Sequence, residues 1–598
     1  MRYRYPTEDA VQVLTVDRFA GVDFSSDPSQ VDWSRSPDAC NMIADESGYP
    51  VKRTGYERIA LFESPVYGLH RLGDDLLIHT GKLLCRLETI GYTTLYQAMN
   101  EAPSRSFLMS GKLWILDGQT YLVYDGTECV PVRQKAFVPT TTIGAPPEGG
   151  GTTLEAVNLL TPYRINTFVG DGSSRTFQLD ATGIDSGSVT CPDYTVQSVN
   201  LKRGTVTLST APEDGGGLAN VTIQFAKTVP EYDGKIDRCC IFGLYGGSND
   251  TRVFVTGDPQ EPNCDWQSGL FDPSYFPDNG YTRIGADASA IVGYLRQYDA
   301  QLVLKEDGQD AKQYLRTFSL DENNKPAYSL KQGAEAVGAM APGAMGVLGG
   351  VPMYLSSNGV MGVFGTDVAE YRIISGVSGR IDRKLKWESG LDQAVMYVWK
   401  DRLYLAINGN CYVADGRQVK NGVPEWYFWN NIPASCFMEM EDTLWFGTAA
   451  GEVYRFRTEE DKQAYQDGLE PVSAWWSTPF SPLGQWGRTK NVLSFTPVLR
   501  SEGRSSAEVG WRTERDTGTA ETVTISCFSF ASLDFRQFTF DAISAAHSIS
   551  CRRRQRKIRL FQGIVRNNKA EPFGLLGLEM CYTVRTKVPR KEEQPWRI

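Results

Sequence analysis

The sequence predicts an all-β protein: a β-propeller-like ring of about seven blades, with a small inserted β-domain and a C-terminal β-domain. Three observations lead there. The first is composition, because 28 Tyr, 27 Phe, 13 Trp and 58 Gly among 598 residues favour strands and turns. The second is length. A single hydrophobic core stops growing at roughly 250–300 residues, so a chain of this size needs several domains or a repeated unit. The third is a recurring hairpin with a polar start, a short apolar run, a Gly- or Asp-containing turn and a second apolar strand. Clear copies are "GDDLLIHTGKLLCRLE" from Gly73, "SGKLWILDGQTYLVYDG" from Ser110, "GVPMYLSSNGVMGVFG" from Gly350, "KDRLYLAINGNCYVADG" from Lys400 and "EDTLWFGTAAGEVYRFR" from Glu441. Weaker copies start at Asn249 and Tyr298, which brings the units to about seven.

Two strands with one apolar face cannot stand alone in water, so such units must stack or close on one another. Successive copies start about 40 to 50 residues apart, the length of a four-stranded blade, except between the second copy and the next. That gap holds its own strands, "INTFVGDGSSRTFQLD" and "YTVQSVNLKRGTVTLSTAPEDGGGLANVTIQFA", and reads as an inserted β-sandwich-like domain. The expected organisation is an N-terminal arm or tether at 1–60, first blades at 61–139, the insertion at 140–229, remaining blades at 230–458 and a basic β-domain at 470–598. Two unrelated β-domains with generic hairpins are the alternative, since no Trp-Asp or Asp-box tag marks the repeats.

The formal charge of −10 divides unevenly: from Pro471 onward 20 basic residues face 11 acidic ones, leaving the preceding body at −19. The C-terminal part is therefore expected to face a different partner from the acidic body. Met1-Arg-Tyr-Arg-Tyr-Pro has no apolar run of the signal-peptide kind. The longest uncharged stretch, 336–366, is broken by prolines and glycines and is not expected to insert into a membrane. Twelve scattered cysteines without a Cys-x-x-Cys pair read as reduced thiols, and three histidines at no ligand spacing leave no metal site to expect.

No nucleophile elbow, phosphate-binding loop or His-Glu-x-x-His is present, and no cofactor is expected. A carboxylate pair of the glycosidase kind is the remaining enzymatic option, with Asp74, Asp75, Asp258, Asp265 and Glu425 near hairpin turns. Turn carboxylates bonded to their own backbone explain the same residues. "EDGQDAK" from Glu306 lacks the spacing of a calcium loop.

The least ordinary segment is "CRRRQRKIRLFQ" from Cys551. As a strand it points Arg552, Arg554 and Arg556 to one side and Arg553, Lys557 and Arg559 to the other, so neither face is apolar before Ile558. Either it lies at an oligomer interface or a channel, where guanidinium groups meet phosphates or carboxylates, or it is an edge strand guarded by charge.

The order of parts, and above all Asn41-Met42, Asp45-Glu46, Gly48 and Lys52-Arg53-Thr54-Gly55-Tyr56, resembles the nozzle, or tail tubular, proteins of short-tailed bacteriophages and related prophage tail hubs. The resemblance implies a structural virion component of the tail, without catalysis or cofactor. It would be a ring, as a hexamer, stacked below an adaptor or tail-tube protein, with phage DNA passing along the axis. Lys52, Arg53, Gly55 and Tyr56 are then expected to dock the arm on the blades or on a neighbouring subunit, with Gly48 and Gly55 giving tight bends. A receptor-binding or carbohydrate-active propeller contacting host-surface glycans is the alternative reading.

Overall fold

The computed structural model describes residues 10–307, 312–322, 324–333, 337–365, 372–500, 505–525, 547–548 and 555–585. Among them the protein is all-β apart from one short α-helix, Asp382–Leu385, and three 3-10 turns. Each predicted hairpin but that from Glu441 forms the second and third strands of a four-stranded antiparallel meander, the sheet of a propeller blade. In blade 1, for example, Asp75–Thr80 and Leu83–Leu87 are flanked by Val66–Leu72 and Tyr92–Tyr96. There are six such meanders among the described residues, and the seventh hairpin belongs to a six-stranded sheet. The central strands are apolar on both faces because both are covered: Val351–Ser356 and Arg402–Ile407 are buried from their second residue onward.

The chain divides into two compact units. One, Ser64–Pro342 with Asp367–Arg372, holds blades 1 and 2, the insertion, and blades 3 and 4. First strands of successive blades lie together there, Val66–Leu72 with Arg105–Met109 and Ile241–Tyr245 with Ile291–Gln297. The insertion has a four-stranded sheet, including Tyr163–Phe168 and Val221–Ala226, and a three-stranded one built on Thr205–Leu208. Phe168, Ile223 and Phe225 from the first meet Phe177, Val206 and Leu208 from the second in a separate core. That core explains how the segment can interrupt the blade series.

The other unit, Met1–Glu63, Gly343–Thr366 and Ile373–Ile598, holds blades 5 to 7 and a C-terminal pair of sheets. Blade 6 runs Val395–Trp399, Arg402–Ile407, Asn410–Lys420 and Val423–Asn430. Blade 7 takes Ala434–Met440, Thr443–Thr448 and Glu452–Phe456 from the repeat series, and its fourth strand, Tyr56–Leu61, from near the N-terminus. In the C-terminal part, one sheet is ordered Val11–Val16, Leu575–Val584, Lys490–Leu499, and the other Ala474–Ser477, Phe561–Asn567, Ser505–Thr513, Thr517–Ile525. Phe495 of the first sheet packs on Phe561 of the second.

None of the ten cysteines among the described residues is held in a disulfide, and six of them are buried. No described helix is long and apolar enough to cross a membrane.

Candidate docking site of the N-terminal arm

The arm begins as the edge strand Val11–Val16 of the C-terminal sheet and then crosses blade 6. Val22 N–H donates to Trp426 O (2.8 Å), Arg35 donates to buried Glu425 through both Nε and Nη2, and Asn41 N–H donates to Phe428 O (2.9 Å). Cys40 exchanges backbone hydrogen bonds with Trp475 (both 3.1 Å), and the hairpin Met42–Ala44/Pro50–Lys52 follows. Its turn is set by Asp45, whose Oδ1 accepts from Ser47 N–H and Tyr49 N–H (both 2.8 Å), and by Gly48 at φ +87°.

Asn41, at φ +54°, uses its whole amide: Nδ2 donates to Asn430 Oδ1 (2.6 Å) and Ser473 O (2.7 Å), and Oδ1 accepts from Asn430 N–H (3.1 Å) and Arg53 Nε (2.9 Å). One side chain thereby joins arm, blade 6 and the start of the C-terminal sheets. Arg53, 2% exposed, satisfies all five of its N–H donors. Besides Asn41 they reach Thr54 O, Asn430 O and both oxygens of Asp467, at 2.8 and 2.7 Å. Its guanidinium also lies 5.7 Å from the Trp429 ring. Tyr56 donates to Asn431 O (2.9 Å) and packs edge-on against Phe446 and Tyr454 in blade 7. Burial holds its phenol above the ordinary range, with the Asp467 charge adding to the effect.

Gly55 corrects one expectation. It has no positive φ and makes no tight bend. A Cβ there would stand 1.8 Å from Gln466 O, so close backbone approach is what calls for glycine. Gly55 N–H donates to Ala464 O (2.7 Å) and its carbonyl accepts from Arg457 N–H (2.8 Å).

Lys52 is 3% exposed, and its ammonium donates to Asn567 Oδ1 (2.8 Å) and Lys569 O (2.6 Å), both neutral acceptors. Burial pushes its amine down to about 7, with the Glu571 charge opposing and Arg53 reinforcing the fall.

Of the basic run, Arg552, Arg553 and Arg554 lie outside the described residues. Arg556, Lys557 and Arg559 are exposed and Ile558 is buried. Simple alternation fails here because the strand bulges: Ile558 pairs with Lys490 but Gln555 with Val492, and the extra residue is absorbed with Lys557 at φ +57°. The N–H groups of Arg559 and Leu560 donate to Glu514 (2.8 and 3.0 Å). Burial opposes the charge on Glu514, but these donors outweigh it and hold its carboxyl below the usual range.

The carboxylates considered for glycoside chemistry have other partners. Asp265 is ion-paired with Arg316, both 1% exposed, and accepts from Tyr294. Asp258 takes both arms of Arg238, Asp75 accepts from Tyr124, Glu425 takes Arg35, and Asp74 is exposed. Part of "EDGQDAK" lies outside the described residues. Among the described residues no cluster of His, Cys, Asp and Glu could hold a metal ion.

Composition hid a buried chain in blades 1 and 2. His79 Nε2 faces Gly81 O (3.0 Å), which can only accept, so Nδ1 accepts from Ser104 Oγ (2.8 Å). Ser104 in turn accepts from His70 Nε2 (2.8 Å), and His70 Nδ1 accepts from Ser106 Oγ (2.9 Å). Every group in the chain is satisfied with both imidazoles neutral. Burial, then the neighbouring His79, pushes His70 down to about 3. An unfolded histidine binds its proton near pH 6.5, so the unfolded state holds the extra proton between about pH 6.5 and 3. The stability contributed by neutral His70 is expected to be complete above pH 6.5 and to fade as pH falls through that window. Urea midpoints at pH 7, 5.5 and 4.5 check this, with His70→Gln giving a flatter profile than the parent.

No protein-family model matches the chain, and no curated protein matches it. Among solved structures it is similar to BamB from Moraxella catarrhalis (9% identity, 69% of this chain and 98% of that one, TM-score 0.31). The computationally designed protein Ika8 (10%, 67% and 99%, TM-score 0.29) and the Pan2 WD40 domain of Neurospora crassa (7%, 66% and 88%, TM-score 0.27) are further examples. At these scores the likeness carries no argument, and the fold rests on the strand order of the sheets.

Proposed function

We propose that the protein is a structural component of a bacteriophage tail, a ring-forming nozzle or hub that stacks below the adaptor or tail tube and forms part of the channel for DNA ejection. One observation carries the reading. The residues behind the sequence resemblance, Asn41, Arg53, Gly55 and Tyr56, are those with which the arm binds blade 6, blade 7 and the C-terminal sheets. A signature that serves a mechanical joint suits a virion part. The exposed Arg556, Lys557 and Arg559 supply a basic edge for DNA phosphates or for the acidic body of a neighbouring subunit. The reading of a glycan-cleaving propeller is disfavoured by Asp258, Asp265 and Glu425, each of which is already ion-paired with an arginine.

Negative-stain images of the purified protein, alone and with its neighbouring tail protein, are expected to show rings or ring-capped tubes. Deleting residues 1–58 is expected to abolish them. A protein that stays monomeric with every tail neighbour sinks the proposal, and release of new reducing ends from host capsule would favour the glycan reading.

A further inference from the structure

The arm hairpin, blades 6 and 7 and the C-terminal sheets line a cavity of about 590 Å³, inside the range that small-molecule sites occupy. We propose that it is a binding site for a small organic anion bearing a phosphate or carboxylate group, gripped by Lys52 and Arg457.

The argument is one of charge matching. Seven lining side chains are lysine or arginine, and five have a carboxylate in close contact. Arg53 takes Asp467, Lys400 takes Asp442, Arg500 takes Asp45, and Arg402 and Arg417 share Asp415. Lys52 and Arg457 are the exceptions. Lys52 gives two of its three protons to neutral oxygens and makes no ion pair among the described residues. Arg457, its side chain 9% exposed, donates to Gln463 Oε1 and Gly468 O. It stands 4.0 Å from the carboxylate of Glu57, and its Nε meets no acceptor among the described residues. Burying a cation without a carboxylate in close contact is costly; Glu571 and Asp467 reach Lys52 only through space and Glu57 stands at 4.0 Å from Arg457, so these two are the least well matched cations on the wall, and an incoming anion would complete them. Lys52 stands 5.8 Å from the ring centroid of Tyr465, and Trp399 lies on the blade 6 wall, so aromatic surface is available to a carbon skeleton. The exposed Glu46 and Glu459 also line the cavity, and solvent screens their opposing charge.

Because the Lys52 amine titrates near neutrality, an anion beside it raises its proton affinity, and binding takes up a fraction of a proton at pH 8. The proposal goes beyond the tail reading and does not rest on it. The test is calorimetric titration of the full chain with inorganic phosphate and, separately, succinate at constant ionic strength in chloride. Two buffers of different ionisation enthalpy are used at pH 8. Saturable heat with one of the two probes, with proton uptake, is expected; phosphate alone assigns a phosphorylated ligand and succinate alone a carboxylated one. Arg457→Gln and Lys52→Met are each expected to weaken binding at least tenfold, whereas Lys400→Met, which removes a matched cation, changes it less than twofold. Absence of saturable heat with both probes in the parent protein overturns the proposal, whether or not Lys52→Met folds. So does unchanged affinity in Arg457→Gln.

Discussion

Replacing Arg53 by Met is expected to destabilise the unit containing blades 5 to 7 by about 3–5 kcal/mol, the range for breaking a buried ion pair from one side. The loss comes mainly from what stays behind. Asp467, with its side chain 6% exposed, keeps Asn431 as a donor but loses both guanidinium bonds, and Asn41 Oδ1 and Asn430 O lose theirs as well. Urea unfolding followed by tryptophan fluorescence measures the effect, since Trp429 lies beneath the guanidinium. The double variant Arg53→Met/Asp467→Leu is expected to recover much of the loss, because it removes the stranded charge together with its partner. A double variant as unstable as the single one would mean that the neutral acceptors, and not Asp467, dominate.

Gly55→Ala carries the second large effect, expected at about 3 kcal/mol, the upper part of the usual range for overpacking. The added methyl would lie 1.8 Å from Gln466 O and 2.2 Å from its carbonyl carbon, and these are backbone atoms that cannot rotate away. Gly55 is also held from both sides by Ala464 and Arg457, so the arm can relieve the clash only by giving up hydrogen bonds that lead into the closing strand of blade 7. Gly48→Ala serves as the comparison. There the nearest atom is the Gln418 side-chain amide at 3.2 Å, and the cost is the left-handed backbone alone, about 1–2 kcal/mol. Thermal and urea unfolding of the two variants side by side check the order.

The hairpins were legible because they became the central strands of each blade, buried on both faces and therefore nearly uninterrupted in apolar residues. The outer strands were not. Tyr281–Arg283 has only three residues and none is buried, so nothing in its pattern separates it from a loop. The fourth strand of blade 7, with a single buried residue, Tyr56, sits far upstream of its sheet, and no local pattern can announce that. At the arm, the Lys-Arg-Thr-Gly-Tyr run was visible, but a Lys-Arg pair in polar sequence reads as surface. Its burial depends on Asp467 and Asn567, more than 400 residues away in the chain. In sequence Gly55 reads as a bend for the same reason: close approach by Gln466 is a tertiary fact, whereas a positive φ, as at Gly48, has local causes in the Asp45 turn. The His70–Ser104–His79 chain left no spacing to detect, because hydroxyls from the next blade complete it.

The pairing of Tyr56 with Phe456 sets a timetable for biosynthesis. With 400 residues between them, and elongation at about 5–20 residues per second, the strand waits roughly 20–80 s on the ribosome before its partner emerges. During that interval the edge Tyr56–Leu61 is available to any other strand. The adjacent Glu57 and Arg58 place charge where a wrong partner would dock. The blade that is finished last is thus begun first, and fidelity of assembly depends on keeping one short strand unoccupied until just over three-quarters of the chain exists.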